Sequence, residues 1–269
     1  MDAPLGSRRW RDGAPPGVPH AQAALRRAGG EHVCEALRTA ARAVVPVACP
    51  GCGLEDVRWC EACAAPWWDP PWRCEEEASR LVVAGESALP VWAIAALDGP
   101  AHGAVVAWKD GGRRDLDAGL AAAMTRAARE IAPALATLPA PIAVVPAPAR
   151  PASTRRRGTD LPLLLARAAT RGLAQAGVAS RVTPVLAIRS GESRGASAAA
   201  RWRESRAAVY AVGTIAPGAA VVLVDDVVTT GATLAACARA LADRGSHAVA
   251  GLVLAAARRV ADPARTGLR

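Results

Sequence analysis

The chain has no phenylalanine, one tyrosine, two methionines and, among 33 basic residues, a single lysine at Lys109; aromatic residues make up 3% of 269 positions. So few rings argue against a single-strand nucleic-acid platform, which stacks bases on aromatic side chains. No apolar run approaches the roughly 18 residues that a membrane helix needs. The pattern G-x4-G-K-[ST] is absent and Lys109 follows Trp108, which excludes P-loop nucleotide chemistry. His20, His32, His102 and His247 share no spacing, so no catalytic or metal role is assigned to them. No hydrophobic segment follows Arg8-Arg9, so neither an ordinary nor a twin-arginine export signal is expected, and the expected compartment is the cytoplasm.

What the chain has instead is Ala, Arg, Gly and Pro, a skew that reads as the codon bias of a GC-rich genome. The net charge of +9 and the pI near 10.1 are discounted on that ground as evidence for a phosphate-rich partner. Much of the arginine lies along helix-like stretches, as on a solvated face; only Arg155, Arg156 and Arg157 form a tight cluster in the main domain. A hydrophobic content of 52% suffices for one α/β domain with a small satellite. The expected division is a disordered tail at 1–30, a helix plus zinc-ribbon module at 31–75, a linker at 76–90, the main domain at 91–257 and a C-terminal tail at 258–269.

Four of the seven cysteines fall in "CPGCGLEDVRWCEAC": Cys49, Cys52, Cys60 and Cys63. Each C-x2-C pair closes a turn that aims two thiolates at one point, and two such turns complete a tetrahedral zinc site. With every position filled by sulfur, that zinc is structural rather than a water activator. Two disulfides, or a redox C-x2-C, are the competing readings. Cys34 and Cys237 sit in helix-like stretches as small buried side chains, and Cys74 is read as a bystander rather than a substitute ligand.

From residue 91 onward, short apolar runs alternate with helix-like segments. The runs are 91–97, 141–148, 181–188, 219–224 and 248–256; helices are expected over about 102–131, broken at Gly111-Gly112, and over 160–175, 197–207 and 232–244. This alternation predicts a parallel sheet covered on both faces, with ligands at the C-terminal ends of the strands. In "VVLVDDVVTTGAT", 221–224 reads as a buried strand with Asp225 and Asp226 at its tip and a turn leading to a helix near Ala232. Gly231 permits the turn; the turn's amides, the helix N-terminus and the hydroxyls of Thr229, Thr230 and Thr233 suit a phosphate. Hydroxyls or a metal belong beside the aspartates. A helix-capping role would account for one acid and leave the loop unexplained.

Residues 221–233 resemble the thirteen-residue fingerprint of type I phosphoribosyltransferases. With four cysteines ahead of it, the chain resembles the ComF family of competence-related phosphoribosyltransferase-like proteins over roughly 45–257, through "VVAWKDGGRRDLDAGLA" and "VVPAPARPASTRRRG" as well. The resemblance implies a type I phosphoribosyltransferase-like α/β fold preceded by a zinc ribbon, with 5-phosphoribosyl 1-pyrophosphate bound alongside Mg2+. It places Asp225 and Asp226 on the ribose hydroxyls and Thr229, Thr230, Gly231, Ala232 and Thr233 on the 5'-phosphate. Lys109, Ala147 in the segment 146–150, and Arg155, Arg156, Arg157 and Gly158 become the pyrophosphate side. Thr159 and Asp160 stand where the family carries Phe and Asn, and the family's Gln near "SGESRGAS" and Asn near Glu204 are missing. A non-catalytic ligand-binding protein is the alternative; single-stranded DNA and the DNA-uptake machinery are the weaker partner candidates.

Overall fold

The structure is a computed structural model that describes residues 47–83, 86–87, 89–189 and 209–258. The chain divides into two units, residues 1–47 and 48–269. The expected N-terminal tail, the helix around Cys34, the helix near 197–207 and the C-terminal tail beyond Arg258 lie outside the described residues.

Within the second unit, a short helix α1 (Glu61–Ala64) is followed by strand β1 (Trp72–Arg73), a small hairpin of β2 (Val82–Val83) and β3 (Glu86–Ser87), and strand β4 (Val91–Ala96). Helices α2 (Gly99–Lys109) and α3 (Asp117–Leu135) lead to β5 (Ile142–Pro146), then α4 (Pro151–Arg157), α5 (Leu161–Gln175), β6 (Ser180–Val182) and β7 (Leu186–Ile188). Strands β8 (Val209–Ala211) and β9 (Val221–Val228), helix α6 (Ala232–Ala242) and strand β10 (Ala248–Ala256) complete the described order.

Six strands form one sheet in the order β1-β4-β10-β9-β5-β6, parallel except for the antiparallel edge strand β1. Because β9, β10, β5 and β4 are buried on both faces, they read as continuous aliphatic runs rather than alternating ones. One face packs against α2, α3 and α5 through Val144, Val222, Val224 and Leu252; the other packs against α6 through Val145, Val221, Leu223 and Val253. On α3, Leu120, Ala123, Met124, Ala127, Ile131 and Leu135 recur at three- and four-residue spacing and point inward. Its approach to α5 is close enough that a Cβ on Gly172 would lie 2.0 Å from the carbonyl oxygen of Thr125.

The helical text after residue 99 breaks where expected, into two helices separated at Gly112, which takes a left-handed φ of +69°. Two other expectations change in detail. The run "RVTPVLAI" splits, β6 joining the main sheet and β7 pairing antiparallel with β8. The stretch "WWDPPWRCEEEASR" (67–80), whose prolines and charges suggest a connector leading into the expected linker, is tied to the sheet. Trp67 and Cys74 are fully buried, β1 pairs with β4, and the carboxylate of buried Glu75 accepts from the amide of Val91 and from Arg73. Burial alone would raise the Glu75 carboxyl, but these donors hold it below its ordinary value.

Candidate functional site

The strand order places the site. From β5 the chain moves outward to β6, and from β9 it moves the opposite way to β10, so a crevice opens between the C-terminal ends of β5 and β9. The two strands pair only as far as Pro146 opposite Val224, while β9 continues beside β10 to Val228. Asp225 and Asp226 therefore lie within the strand rather than at its tip, with the β5 side of their backbone left open. A cavity of about 430 Å³ fills this opening.

Successive side chains on a strand leave opposite faces. Asp225 ranges with Val221 and Leu223 on the α6 side, where its charge reaches Cys237. Asp226 turns the other way, and its Oδ1 meets Lys109 Nζ at 2.8 Å. Both carboxyls nonetheless line the same cavity. Asp225 is 6% and Asp226 8% exposed. Such burial is unusual for charged groups and is tolerated here through specific partners. The backbone amide of Asp226 donates to Asp225 Oδ1 at 2.8 Å. Burial, reinforced by the adjacent Asp226 charge, pushes the Asp225 carboxyl well above the usual carboxylate range.

The loop after β9 turns through Gly231, whose φ is +74°. Glycine adopts this left-handed conformation without penalty. Gly231 is the N-cap of α6 and provides no side-chain acceptor to its first-turn amides, which leaves donors and the positive helix end at the cavity. Thr229, Ala232 and Thr233 line the cavity; Thr230 and Gly231 lie behind it, the Thr230 carbonyl accepting from Arg80 and Gly231 packing on Leu81 and Ala78.

The opposite wall is cationic. Lys109 at the end of α2, Arg150 before α4 and Arg157 at its last turn line the cavity together with Ser153. The Arg155–Arg157 cluster, similar in sequence to a basic loop, is helical: Pro151 starts α4 and Gly158 closes it in the left-handed conformation. Helical geometry turns Arg155 and Arg156 outward, so only Arg157 of the three reaches the cavity. Arg157 donates to the Lys109 carbonyl oxygen and, with Arg156, to Asp110. Ala147 also falls short of its expected place: it is buried, its amide donates to the Val224 carbonyl, and Pro148, Ala149 and Arg150 form the lining instead. Gly158, Thr159 and Asp160 border a different hollow beside α5, and Asp160 caps that helix by accepting from the Leu163 amide at 3.0 Å.

Ser153, Pro162, Ile188 and Val209 also line the cavity and were not legible as site residues. Ile188 and Val209 face each other across the β7–β8 ladder, a pairing of segments that short apolar runs do not announce.

Residues 166–267 match the family described as the phosphoribosyl transferase domain. Over that segment the chain is similar to phosphoribosyl transferase domains. The match takes in β9, the Thr229–Thr233 turn, α6 and β10, so the aspartates and that turn fall inside it while Lys109, Arg150 and Arg157 lie before it. No curated protein matches the chain.

Ahead of the matched segment, Cys49, Cys52, Cys60 and Cys63 converge with all four sulfurs within 4.8 Å of one another. The Cys49–Cys60 sulfur separation is 3.5 Å and the Cys52–Cys60 separation 3.7 Å. Two thiolates on one tetrahedral zinc, each with a Zn–S bond of about 2.3 Å, stand about 3.8 Å apart. All four are free thiols, so neither proposed disulfide forms. Burial would raise the Cys49 thiol, but the amides of Cys60, Cys52 and Gly51 overcome it and bring it down to about 6, in the thiolate range that a metal needs. The donor set fits a structural zinc. Cys74 is outside this cluster, fully buried, with burial pushing its thiol up to about 12. Among the described residues no helix is long and apolar enough to cross a membrane.

Proposed function

We propose that the protein binds 5-phosphoribosyl 1-pyrophosphate with Mg2+ and transfers its phosphoribosyl group to an acceptor. The observation that carries this is the pairing, in one cavity, of two buried carboxyls with a helix-heading turn of free donors on one side and Lys109, Arg150 and Arg157 on the other. A phosphate suits the turn, a vicinal diol suits the carboxyls, and a pyrophosphate suits the cationic wall.

In this mechanism the hydroxyls of Thr229 and Thr233 and the amides at the head of α6 hold the 5'-phosphate, and Asp225 and Asp226 orient the ribose hydroxyls. Mg2+, a hard cation that prefers oxygen ligands, would be held on the side of Asp225 and Asp226 and would supply charge neutralisation for the leaving group. The bond from C1 to pyrophosphate breaks with its electron pair leaving on pyrophosphate, and the acceptor's lone pair forms the new bond to C1. The transition state is oxocarbenium-like, and the two carboxyls oppose its developing positive charge. Arg157 and Lys109 stabilise the departing pyrophosphate.

A non-catalytic ligand-binding role is the second reading. It is favoured by Asp160, which stands where the resembled family carries a different side chain and is used here to cap α5. The four-cysteine ribbon ahead of the domain supports assignment to the ComF family, with a competence-related role, and its reduced thiols suit a cytoplasmic setting. A DNA partner draws no support from the phosphoribosyl transferase match.

Thermal unfolding with Mg2+ and millimolar 5-phosphoribosyl 1-pyrophosphate tests the proposal, because a ligand that binds only the native state raises Tm. The wild type is expected to shift upward and the Asp225→Asn/Asp226→Asn double variant to stay put. A wild type that does not shift refutes both readings. A shift without pyrophosphate release across a panel of nucleobases and amines selects the non-catalytic one.

A further inference from the structure

The cysteine ribbon and the ligand cavity share one helix. Between the ligands Cys49 and Cys52, the backbone at Pro50 and Gly51 lies flush on α2: a Cβ on Gly103 would come within 2.4 Å of the Pro50 carbonyl oxygen, and a Cβ on Gly51 within 2.9 Å of Pro100. Just beyond the helix, Arg113 donates to the carbonyls of Ala48 at 2.8 Å and Arg58 at 2.7 Å, near the first and third cysteines, and its own amide returns to Ala107 at 3.1 Å. The segment from Pro100 to Arg113 is thus held by the ribbon near both ends. Lys109 sits between those two holds. Its Nζ reaches Asp226, its carbonyl receives Arg157, and the next residue, Asp110, receives Arg156 and Arg157.

We propose that the four-cysteine ribbon positions Lys109, and through its carbonyl Arg157, so that the ribbon governs affinity for the pyrophosphate end of the ligand. The inference rests on the phosphoribosyl reading above. An α-helix is stiff over the roughly 9 Å from Gly103 to Lys109, so a displacement at the ribbon is delivered to its last turn. The 5'-phosphate turn has no such dependence, because it is carried by β9 and α6 on the other side of the cavity. The ribbon's own shape depends on four thiolates sharing one metal, which makes Gly103 and Arg113 positioning residues between a metal site and a ligand site.

The experiment uses the full chain and two ligands: Mg2+ with 5-phosphoribosyl 1-pyrophosphate, and ribose 5-phosphate, which has no pyrophosphate. Affinities are measured by calorimetry for wild type, Gly103→Ala, Arg113→Ala, Lys109→Ala and the Gly103→Ala/Lys109→Ala double variant, with metal content followed by elemental analysis. Gly103→Ala and Arg113→Ala, and removal of the wild-type metal by a chelator, are each expected to weaken the pyrophosphate-bearing ligand about tenfold and ribose 5-phosphate less than about twofold. This selectivity is expected whether or not the variants retain metal. In the Lys109→Ala background, Gly103→Ala is expected to add little. Equal losses for the two ligands, no loss for either, or full additivity in the double variant overturns the coupling while leaving the phosphoribosyl reading intact. A wild type that binds neither ligand overturns that reading, and the coupling with it.

Discussion

Replacing Gly231 with alanine tests whether the turn proposed to bind the 5'-phosphate is held by the fold or is merely permitted by glycine. Two costs follow from its surroundings. The first is conformational, since the φ at this position is +74°. An L-residue there loses about 1–2 kcal/mol to left-handed strain, partly offset by the lower entropy of the unfolded chain, leaving about 1 kcal/mol. The second is steric: the new methyl would lie 2.6 Å from Leu81 Cγ and 3.0 Å from Ala78 Cβ, both on buried residues. Such overpacking costs about 1–3 kcal/mol. Gly218 supplies the control, since its φ is +75° but a Cβ there meets nothing within 4 Å. Each kcal/mol lowers Tm by about 2–4 °C in a domain of this size, so Gly218→Ala is expected to lose about 2–4 °C and Gly231→Ala about 5–15 °C. Calorimetry of the two variants measures this, and ribose 5-phosphate titrations are expected to show more than about tenfold weakening for Gly231→Ala alone. Equal melting losses for the two variants would refute the claim that the turn is buttressed by the segment around Leu81.

Other outcomes follow from the buried acid and the ribbon. Asp225 has a folded-state pKa raised above its unfolded value by burial and by Asp226, so its favourable contribution is complete below the unfolded pKa and is lost as pH rises through the folded one. Asparagine there stays neutral and keeps an oxygen for the Asp226 amide. Asp225→Asn should therefore melt above wild type by a gap that widens from pH 5 to pH 9, and a constant or negative gap would count against a strained acid. Purified protein should contain about one zinc per chain by elemental analysis, and stripping it should lower Tm by several degrees, since metal binding and folding of such ribbons are linked; protein without metal that melts unchanged would contradict the assignment.

Where local chemistry decides the outcome, the sequence was readable. Asp160 stands at the start of an expected helix and caps it, the doubled C-x2-C spacing brings four sulfurs together, and the nine-residue run 248–256 is a strand throughout. The Asp225–Asp226 pair was legible as chemistry but not as geometry. Its strand runs on to Val228 because β10 continues beside it after β5 has stopped, a fact of partnership that no window of sequence contains. The same limit explains the basic cluster, where Pro151 and Gly158 bound a helix that turns two of three arginines away. It also explains the stretch around Cys74, where prolines and acids that suggest a connector sit on a buried glutamate bound to the sheet edge.

The strand order also has a consequence for how the molecule comes into being. During synthesis β4 and β5 emerge early, yet each finds only a short partner among earlier or adjacent strands: two residues of β1 and three of β6. The two strands that belong between them, β9 and β10, are the last of the sheet to leave the ribosome. Until residue 256 is available, the growing chain exposes unpaired strand edges and the apolar faces of α2, α3 and α5, which is the condition that favours aggregation and slow, long-range closure. Asp225 and Asp226 arrive on one of those closing strands, so burial of the two acids and completion of the core are a single event.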